Sequence, residues 1–240
     1  MNALLYILLF IGPFAGGVFA LGSSAKDERT LKLFLSFAGA YLFAVTVVHL
    51  IPETFARQNK YTGLLVLAGF LFQLFLEYFS EGIEHGHVHV HHHLKHHVMP
   101  LGILASLCLH SFMEGIPLGG LFAIDSGARF PLLGGIMLHE FPAAFTLMSI
   151  LRSIEIRRNA LFALLLFYAL MAPLGAASSI YASIRVPDEI FSMFMAFVIG
   201  TFLHISTTIL FENSEQHHMS TKKLYAVVAG LGMALLTLLF

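Results

Sequence analysis

The residues best suited to chemistry form two short polar clusters inside long apolar stretches of the sequence. His110, Ser111 and Glu114 make up the first cluster, and His139 and Glu140 make up the second. A carboxylate near the middle of a bilayer costs on the order of 3 kcal/mol on insertion scales, so two carboxylates cost roughly twice that. Side chains kept at this cost are by default functional, and histidine beside carboxylate is a ligand set that suits divalent transition metals. The clusters therefore predict a metal-binding site within a membrane.

The spacing within the clusters supports one shared site. His110 and Glu114 are four residues apart, which places both on one face of a helix. Pro117 and Pro142 follow the two clusters, and each proline deprives a carbonyl one turn earlier of its helical partner. Freed backbone groups at this depth are tolerated where they are buried in protein or face a watery cavity. Two kinked helices presenting His110, Glu114 and His139 would offer two nitrogens and one carboxylate, which suits Zn²⁺, Fe²⁺, Mn²⁺ or Cd²⁺.

Two polar neighbours of these histidines have roles that the sequence leaves open. Glu140 directly follows His139, so it projects about 100° around the helix, toward a second site, a proton path or a neighbouring helix. Ser111 follows His110 in the same way. Its hydroxyl either contributes to such a site or bonds its own helix backbone.

The elements that must position these residues are membrane-spanning helices. The chain has 240 residues, of which 58% are hydrophobic and 11% are charged, whereas a soluble domain carries about 25% charged residues. A hydrocarbon core of about 30 Å needs about 20 apolar residues per helix. Eight segments meet this length, near 3–22, 31–52, 61–80, 98–122, 131–151, 160–182, 188–211 and 222–240. The chain is therefore predicted to be an all-α polytopic membrane protein with a single transmembrane domain over residues 1–240.

The basic residues predict how this domain is oriented. Nine Lys and Arg residues lie in the odd-numbered loops and four in the even-numbered loops. By the positive-inside rule, the odd loops are cytoplasmic and both termini are extracytoplasmic. The first segment lacks the basic start and cleavage site of a signal peptide, so we expect it to be retained. The net charge of −1 gives no sign of nucleic-acid binding, and Cys108 is the single cysteine, which excludes a disulfide within the chain.

A histidine-rich tract occupies the predicted cytoplasmic loop between segments three and four. Its composition is typical of a flexible metal-binding segment, and the alternative is a solvated polar loop that binds no metal. The tract covers residues 85–97 and holds eight histidines: His85, His87, His89, His91, His92, His93, His96 and His97.

Polar side chains on one face of the third predicted helix lead toward this tract. They are spaced by four, four and three residues and comprise Gln73, Glu77, Glu81 and Glu84. Such a face either forms an exit route for metal or pairs charges inside the bundle.

Two further histidines lie in predicted helices. His49 and Glu53 form an i, i+4 pair near the predicted outer end of segment two, where we expect a metal entrance. His204 lies in segment seven, eight residues before Glu212 and on nearly the same helix face. It would either line the metal pathway or pack between helices.

The combined pattern resembles the ZIP family of zinc and iron transporters. The fourth segment contains His-Ser-x-x-Glu-Gly and the fifth contains His-Glu-x-x-Ala-Ala-Phe-Thr-Leu. Supporting matches are His49-Leu50-Ile51-Pro52-Glu53 at the end of segment two, Gly200-Thr201-Phe202-Leu203 in segment seven, and the histidine-rich third loop. Each piece alone is weak, but the combination is specific.

The resemblance implies both an architecture and an activity. The fold would have eight helices in a 3+2+3 arrangement, with the outer triplets related by inversion. A divalent metal, with Zn²⁺ as the main candidate, would be bound between the fourth and fifth helices and carried into the cytoplasm by alternating access. The protein would be a homodimer in the plasma (inner) membrane. The metal would be its transported substrate, with no resident cofactor.

The family's site residues carry over by position. His110, Glu114 and His139 match primary-site ligands, and Ser111 and Glu140 match positions that contribute to a second, adjacent site. Many members of the family have a carboxylate that bridges two metals where this chain has Ala143. We therefore expect one primary metal and a weak or absent second site.

Two other classes of membrane protein use related residues. An intramembrane metallohydrolase would need His-Glu-x-x-His, but alanine stands at the last position of that motif, so the chain is not expected to be an enzyme. A proton-coupled exporter of the cation-diffusion type also places histidine and carboxylate four residues apart. Such exporters usually have six helices and a soluble C-terminal metal domain, whereas this sequence ends within its predicted eighth helix.

Overall fold

The computed structural model describes residues 3–22, 28–56, 60–80, 82, 100–119, 126–154, 156–183, 185–211 and 220–239. Within these ranges the regular elements are helices: α1 (Ala3–Gly22), α2 (Glu28–Val45), α3 (Ile51–Ala56), α4 (Thr62–Ser80), α5 (Leu101–Gly119), α6 (Ser126–Ser153), α7 (Arg158–Ala169), α8 (Met171–Ser183), α9 (Asp188–Phe211) and α10 (Thr221–Leu236). A short π-helix, Thr46–Leu50, joins α2 to α3, and a 3₁₀ turn, Thr237–Leu239, follows α10.

The described chain contains eight helical stretches long and apolar enough to cross a membrane. They are Ala3–Gly22, Thr30–Ala56, Thr62–Ser80, Leu101–Gly119, Gly127–Ser153, Arg158–Ala182, Glu189–Phe211 and Thr221–Leu239. Each coincides with one predicted segment to within a few residues, so the prediction of an all-α polytopic membrane protein with eight spans is confirmed. The inverted relation between the outer triplets stays a prediction.

Prolines explain where two of these spans depart from a regular helix. In the second span Pro52 lacks the N–H that would bond the carbonyl of Val48, and the wider π-turn Thr46–Leu50 lies at this point. In the sixth span Pro173 leaves the carbonyl of Ala169 without its helical donor, and the α-helix is interrupted at Leu170. In each case the helical stretch continues past the interruption, so the two helices form one candidate membrane crossing.

The helices pack into two bundles. The first bundle contains α1, α5, α6, α7 and α8, in which α1 packs along α6 and α5 packs along α8. The second bundle contains α2, α3, α4, α9 and α10, in which α4 packs along α9 and α10 packs along α2. The bundles meet where α2 contacts α6 and where α4 contacts α5.

Backbones approach closely within each bundle. In the first, a Cβ added at Gly115 would collide with the carbonyl of Ala172. In the second, a Cβ added at Gly69 would collide with the carbonyl of Phe197. Between the bundles, the corresponding neighbour of Gly135 is the side chain of Leu42, at 3.1 Å from an added Cβ. Small residues thus let helices pack backbone to backbone inside a bundle, whereas this contact between the bundles is made by a side chain.

Candidate metal centre

His110, Glu114 and His139 converge in the interior of the protein. α5 presents His110 and Glu114 from one face, and α6 presents His139 opposite them. His110 Nε2 lies 3.3 Å from Glu114 Oε1 and 3.2 Å from His139 Nε2, and His139 Nε2 lies 4.0 Å from Glu114 Oε1. All three side chains are at most 1% exposed. In the part of the chain that the structure describes, this is the one group of three His, Cys, Asp or Glu side chains so placed.

The three atoms are spaced as the ligands of a small metal ion would be. A triangle with sides of 3.2, 3.3 and 4.0 Å has a circumradius of about 2.1 Å. An ion at its centre would therefore lie about 2.1 Å from two nitrogens and one oxygen, which is the usual length of Zn–N and Zn–O bonds. Such an ion would keep at least one open coordination position for water or another ligand.

Gln73 of α4 determines which nitrogen of His110 faces this cluster. His110 Nδ1 lies 3.3 Å from Gln73 Oε1, and both residues are buried. Because a carbonyl oxygen can only accept, Nδ1 carries the hydrogen and Nε2 presents its lone pair to the cluster. This is the arrangement that orients metal-binding histidines in many proteins. The sequence placed Gln73 only on a polar helix face, because the contact joins helices 37 residues apart.

Glu140 contacts a neighbouring helix and also lies next to the triangle, beside the Glu114 carboxyl group. Its Oε2 accepts a hydrogen bond of 2.6 Å from the hydroxyl of Tyr168 in α7, and both side chains are fully buried. Its Oε1 has no hydrogen-bond partner among the described residues. The contact with another helix, one of the three directions that the sequence left open, is thus present together with the approach to Glu114, and a role of Glu140 in a second site stays a prediction. Tyr168 was missed by sequence reasoning, and its position in the middle of an apolar span was the available signal.

Ser111 and Ala143 complete the surroundings of Glu140. The Ser111 hydroxyl is buried and makes no backbone hydrogen bond within the described ranges, so that alternative is not observed. The hydroxyl lies beside Glu140 instead. Ala143 is buried, and its methyl side chain has no atom that could bind a metal.

Glu77 and His204 form a second histidine–carboxylate contact. Glu77 of α4 and His204 of α9 approach to 3.3 Å between Oε2 and Nε2. The His204 ring also packs edge to face with the ring of Phe70, and the two centroids are 4.8 Å apart. The structure therefore brings together two residues that the sequence had assigned separately to an exit face and to segment seven.

The remaining predicted residues lie apart from the triangle or outside the described ranges. His49 is half-buried in the π-helix, with Nε2 at 3.1 Å from the hydroxyl of Thr237, and Glu53 is half-buried in α3. Outside the described ranges lie Glu81, Glu84, Glu212 and the histidine tract, comprising His85, His87, His89, His91, His92, His93, His96 and His97.

The fold defines a multi-pass membrane protein, and its buried histidines and carboxylate are spaced so that they could hold a metal ion. Comparison with known families agrees with this class and narrows it. The family described as "ZIP Zinc transporter" matches residues 82–239, well over half of the chain. The chain therefore belongs to the ZIP zinc transporter family, as its resemblance had indicated.

Known proteins similar to this chain carry the same family name. Zinc transporter ZIP9-B of Xenopus laevis is 27% identical over 156 residues, which cover 62% of this chain and 51% of that protein. Zinc transporter ZIP9-A of the same species is 26% identical over 250 residues, covering 85% of this chain and 82% of that protein. Zinc transporter ZIP9 of Micropogonias undulatus is 32% identical over 108 residues, covering 42% of this chain and 35% of that protein. The first of these matches thus spans about half the length of its relative.

Family membership decides between the classes considered from the sequence. ZIP proteins are transporters and not enzymes, so the metallohydrolase alternative is excluded. The exporter of the cation-diffusion type is excluded as a family for the same reason. Zinc is the substrate of such a transporter rather than a resident cofactor.

Proposed function

We propose that this protein carries divalent transition metals into the cytoplasm by alternating access. Its main substrate is Zn²⁺, and Fe²⁺, Mn²⁺ or Cd²⁺ are further substrates. The ion is held by His110, Glu114 and His139. The observation that carries the proposal is the triangle of three donor atoms, which are spaced for bonds of about 2.1 Å to a common centre. Family membership supports the substrate class.

The same geometry suits an ion that must enter and leave. Three protein ligands leave part of the coordination shell to water, so the ion is released by exchanging few bonds. Gln73 holds the His110 ring in the binding tautomer before an ion arrives. Full burial of the three side chains lowers the local dielectric constant and so strengthens their interaction with the ion.

The division into two bundles supports the alternating-access step. The ligands all belong to α5 and α6, and these helices are held to α1 and α8 by close backbone packing. The first bundle can then move against the second without disturbing the ligand triangle. Side-chain contacts such as Gly135 against Leu42 allow such movement because side chains change rotamer more readily than packed backbones separate.

Several finer features belong to the same proposal. Residues 1–240 form one transporter domain in the plasma (inner) membrane, with both termini outside the cytoplasm, and two copies form a homodimer. His49 and Glu53 lie at the metal entrance, and the histidine-rich tract at 85–97 receives or buffers metal in the cytoplasm. Ser111 and Glu140 form at most a weak second subsite, because Glu140 is bound by Tyr168 and Ala143 offers no bridging ligand.

Uptake of radioactive metal into proteoliposomes tests this proposal. Removing a ligand by His110→Ala or Glu114→Ala should lower Zn²⁺ uptake by more than about tenfold, since even residues that only support ligands contribute 10–100-fold. Glu189→Ala, at an exposed carboxylate in α9, is the matched control and should transport as wild type does. Wild-type uptake by both ligand variants would refute the site. Export from loaded vesicles driven by a proton gradient would refute the direction.

A further inference from the structure

The contact between Glu77 and His204 lies inside the second bundle, away from the ligand triangle. Both side chains belong to membrane-spanning helices, and their exposure is 16% and 4%. Ionisable side chains within spans are costly and are by default functional. The contact is also held firmly, because α4 and α9 pack backbone to backbone at Gly69 and at Gly200, whose added Cβ would collide with the carbonyl of Val66.

The spacing of this pair suits metal ligands. In a tetrahedral site with bonds of about 2.0–2.1 Å, neighbouring ligand atoms are about 3.3 Å apart. His204 Nε2 and Glu77 Oε2 lie 3.3 Å apart. The rings of His204 and Phe70 pack edge to face, with their centroids 4.8 Å apart. An imidazole nitrogen and a carboxylate oxygen are therefore already arranged as two ligands of one ion.

The pair lies one helical turn from the ligand triangle along α4. Gln73 contacts His110 directly, and Glu77 follows Gln73 by four residues, which is about 6 Å along a helix. Glu77 is nearer the end of α4 that leads into residues 81–99, which hold the histidine-rich tract. A displacement of the first bundle by about one turn in that direction would move His110 from the level of Gln73 to the level of Glu77.

We propose that Glu77 and His204 form a second, transient metal-binding station, to which the ion passes from His110, Glu114 and His139 on its way out. The inference rests on the proposed function and adds the place where the ion is received. The first bundle carries the ion, and the second bundle supplies replacement ligands. Two protein ligands hold the ion less tightly than three, so release to the far side follows readily.

An ordinary ion pair between His204 and Glu77 is the competing explanation, and a thiol distinguishes it from a metal station. Cysteine and serine have nearly the same size, but cysteine binds Zn²⁺ as a thiolate and serine does not. Zn²⁺ uptake into proteoliposomes should fall by about tenfold or more in Glu77→Gln and in His204→Ser. His204→Cys should transport several-fold faster than His204→Ser. Glu189→Gln, at the exposed start of α9, is the matched carboxylate control.

The kinetic constants separate this inference from the proposed function. Loading occurs on the first bundle, so Glu77→Gln and His204→Ser should lower the maximal rate while the apparent affinity for external Zn²⁺ stays near that of wild type. His110→Ala should fail to load the ion. Wild-type Zn²⁺ uptake by this variant would refute the proposed function itself. With His110→Ala inactive, wild-type uptake by both station variants, Glu77→Gln and His204→Ser, would refute the second station alone.

Equal uptake by His204→Cys and His204→Ser would also refute the second station, because a packing or pairing role gains nothing from a thiolate. Uptake is measured per folded transporter, and the Cys–Ser comparison decides the matter even if Glu77→Gln does not accumulate.

Discussion

The two bundles differ in what they offer a metal ion. The first bundle holds three donor atoms, on His110, Glu114 and His139, around a common centre. The second bundle holds two, on Glu77 and His204, one turn further along α4. Because each set lies within one bundle, the movement proposed above would preserve both sets and change only which groups face each other. In the proposed mechanism, binding of the ion therefore belongs to the first bundle and its subsequent transfer to the second.

Removing a ligand from the first bundle should have the largest effect on transport. His139→Ala leaves two donor atoms, and we expect Zn²⁺ uptake to fall by about 100-fold or more, since ligands matter more than the residues that orient them. His49→Ala serves as the comparison, because His49 is hydrogen-bonded to Thr237 and lies outside the triangle. Its loss should be clearly smaller. Equal losses in the two variants would contradict the assignment of His139 as a primary ligand.

Substitutions at Gln73 test one of the contacts between the two bundles. Gln73→Leu removes the acceptor for the Nδ1–H of His110, so the ring loses its fixed tautomer and apparent affinity for Zn²⁺ should weaken by about tenfold. Gln73→Glu keeps an acceptor oxygen at the same position and should bind more tightly than Gln73→Leu. Uptake kinetics at varied external Zn²⁺ provide the measurement. Indistinguishable affinities for the two variants would show that Gln73 does not orient His110.

Packing inside a bundle can be compared with packing between bundles by adding one methyl group. Gly69→Ala places a Cβ against the carbonyl of Phe197, and overpacking of this kind costs about 1–3 kcal/mol. Gly135→Ala places a Cβ at 3.1 Å from the Leu42 side chain, which can turn away. Thermal unfolding followed by circular dichroism in detergent should show a lower midpoint for Gly69→Ala only. Equal destabilisation would contradict the distinction between close backbone packing and a yielding side-chain contact.

The sequence predicted the eight spans and the shared helix face of His110 and Glu114. It did not predict which helices contact each other, and the reason is physical. The eight spans follow from bilayer thickness, which requires a long apolar stretch for each crossing. His110 and Glu114 follow from the helical repeat, because both lie on one face of one helix. Which helices meet is not a local property. The contact between Gln73 and His110 joins residues 37 apart, and that between Tyr168 and Glu140 joins residues 28 apart.

The smallest effect on transport is expected at the hydrogen bond between Tyr168 and Glu140, which lies inside the first bundle. Tyr168→Phe removes the hydroxyl that donates to Glu140 Oε2, and a buried acceptor left without its donor costs about 1–3 kcal/mol. Thermal stability should therefore fall, while Zn²⁺ uptake per folded transporter stays close to that of wild type, because Glu140 lies outside the three-atom triangle. Tyr181→Phe, at an exposed tyrosine, is the control and should change neither quantity. A collapse of uptake in Tyr168→Phe as deep as that in His139→Ala would place Glu140 among the primary ligands, and the first bundle would then hold a larger site than three donor atoms.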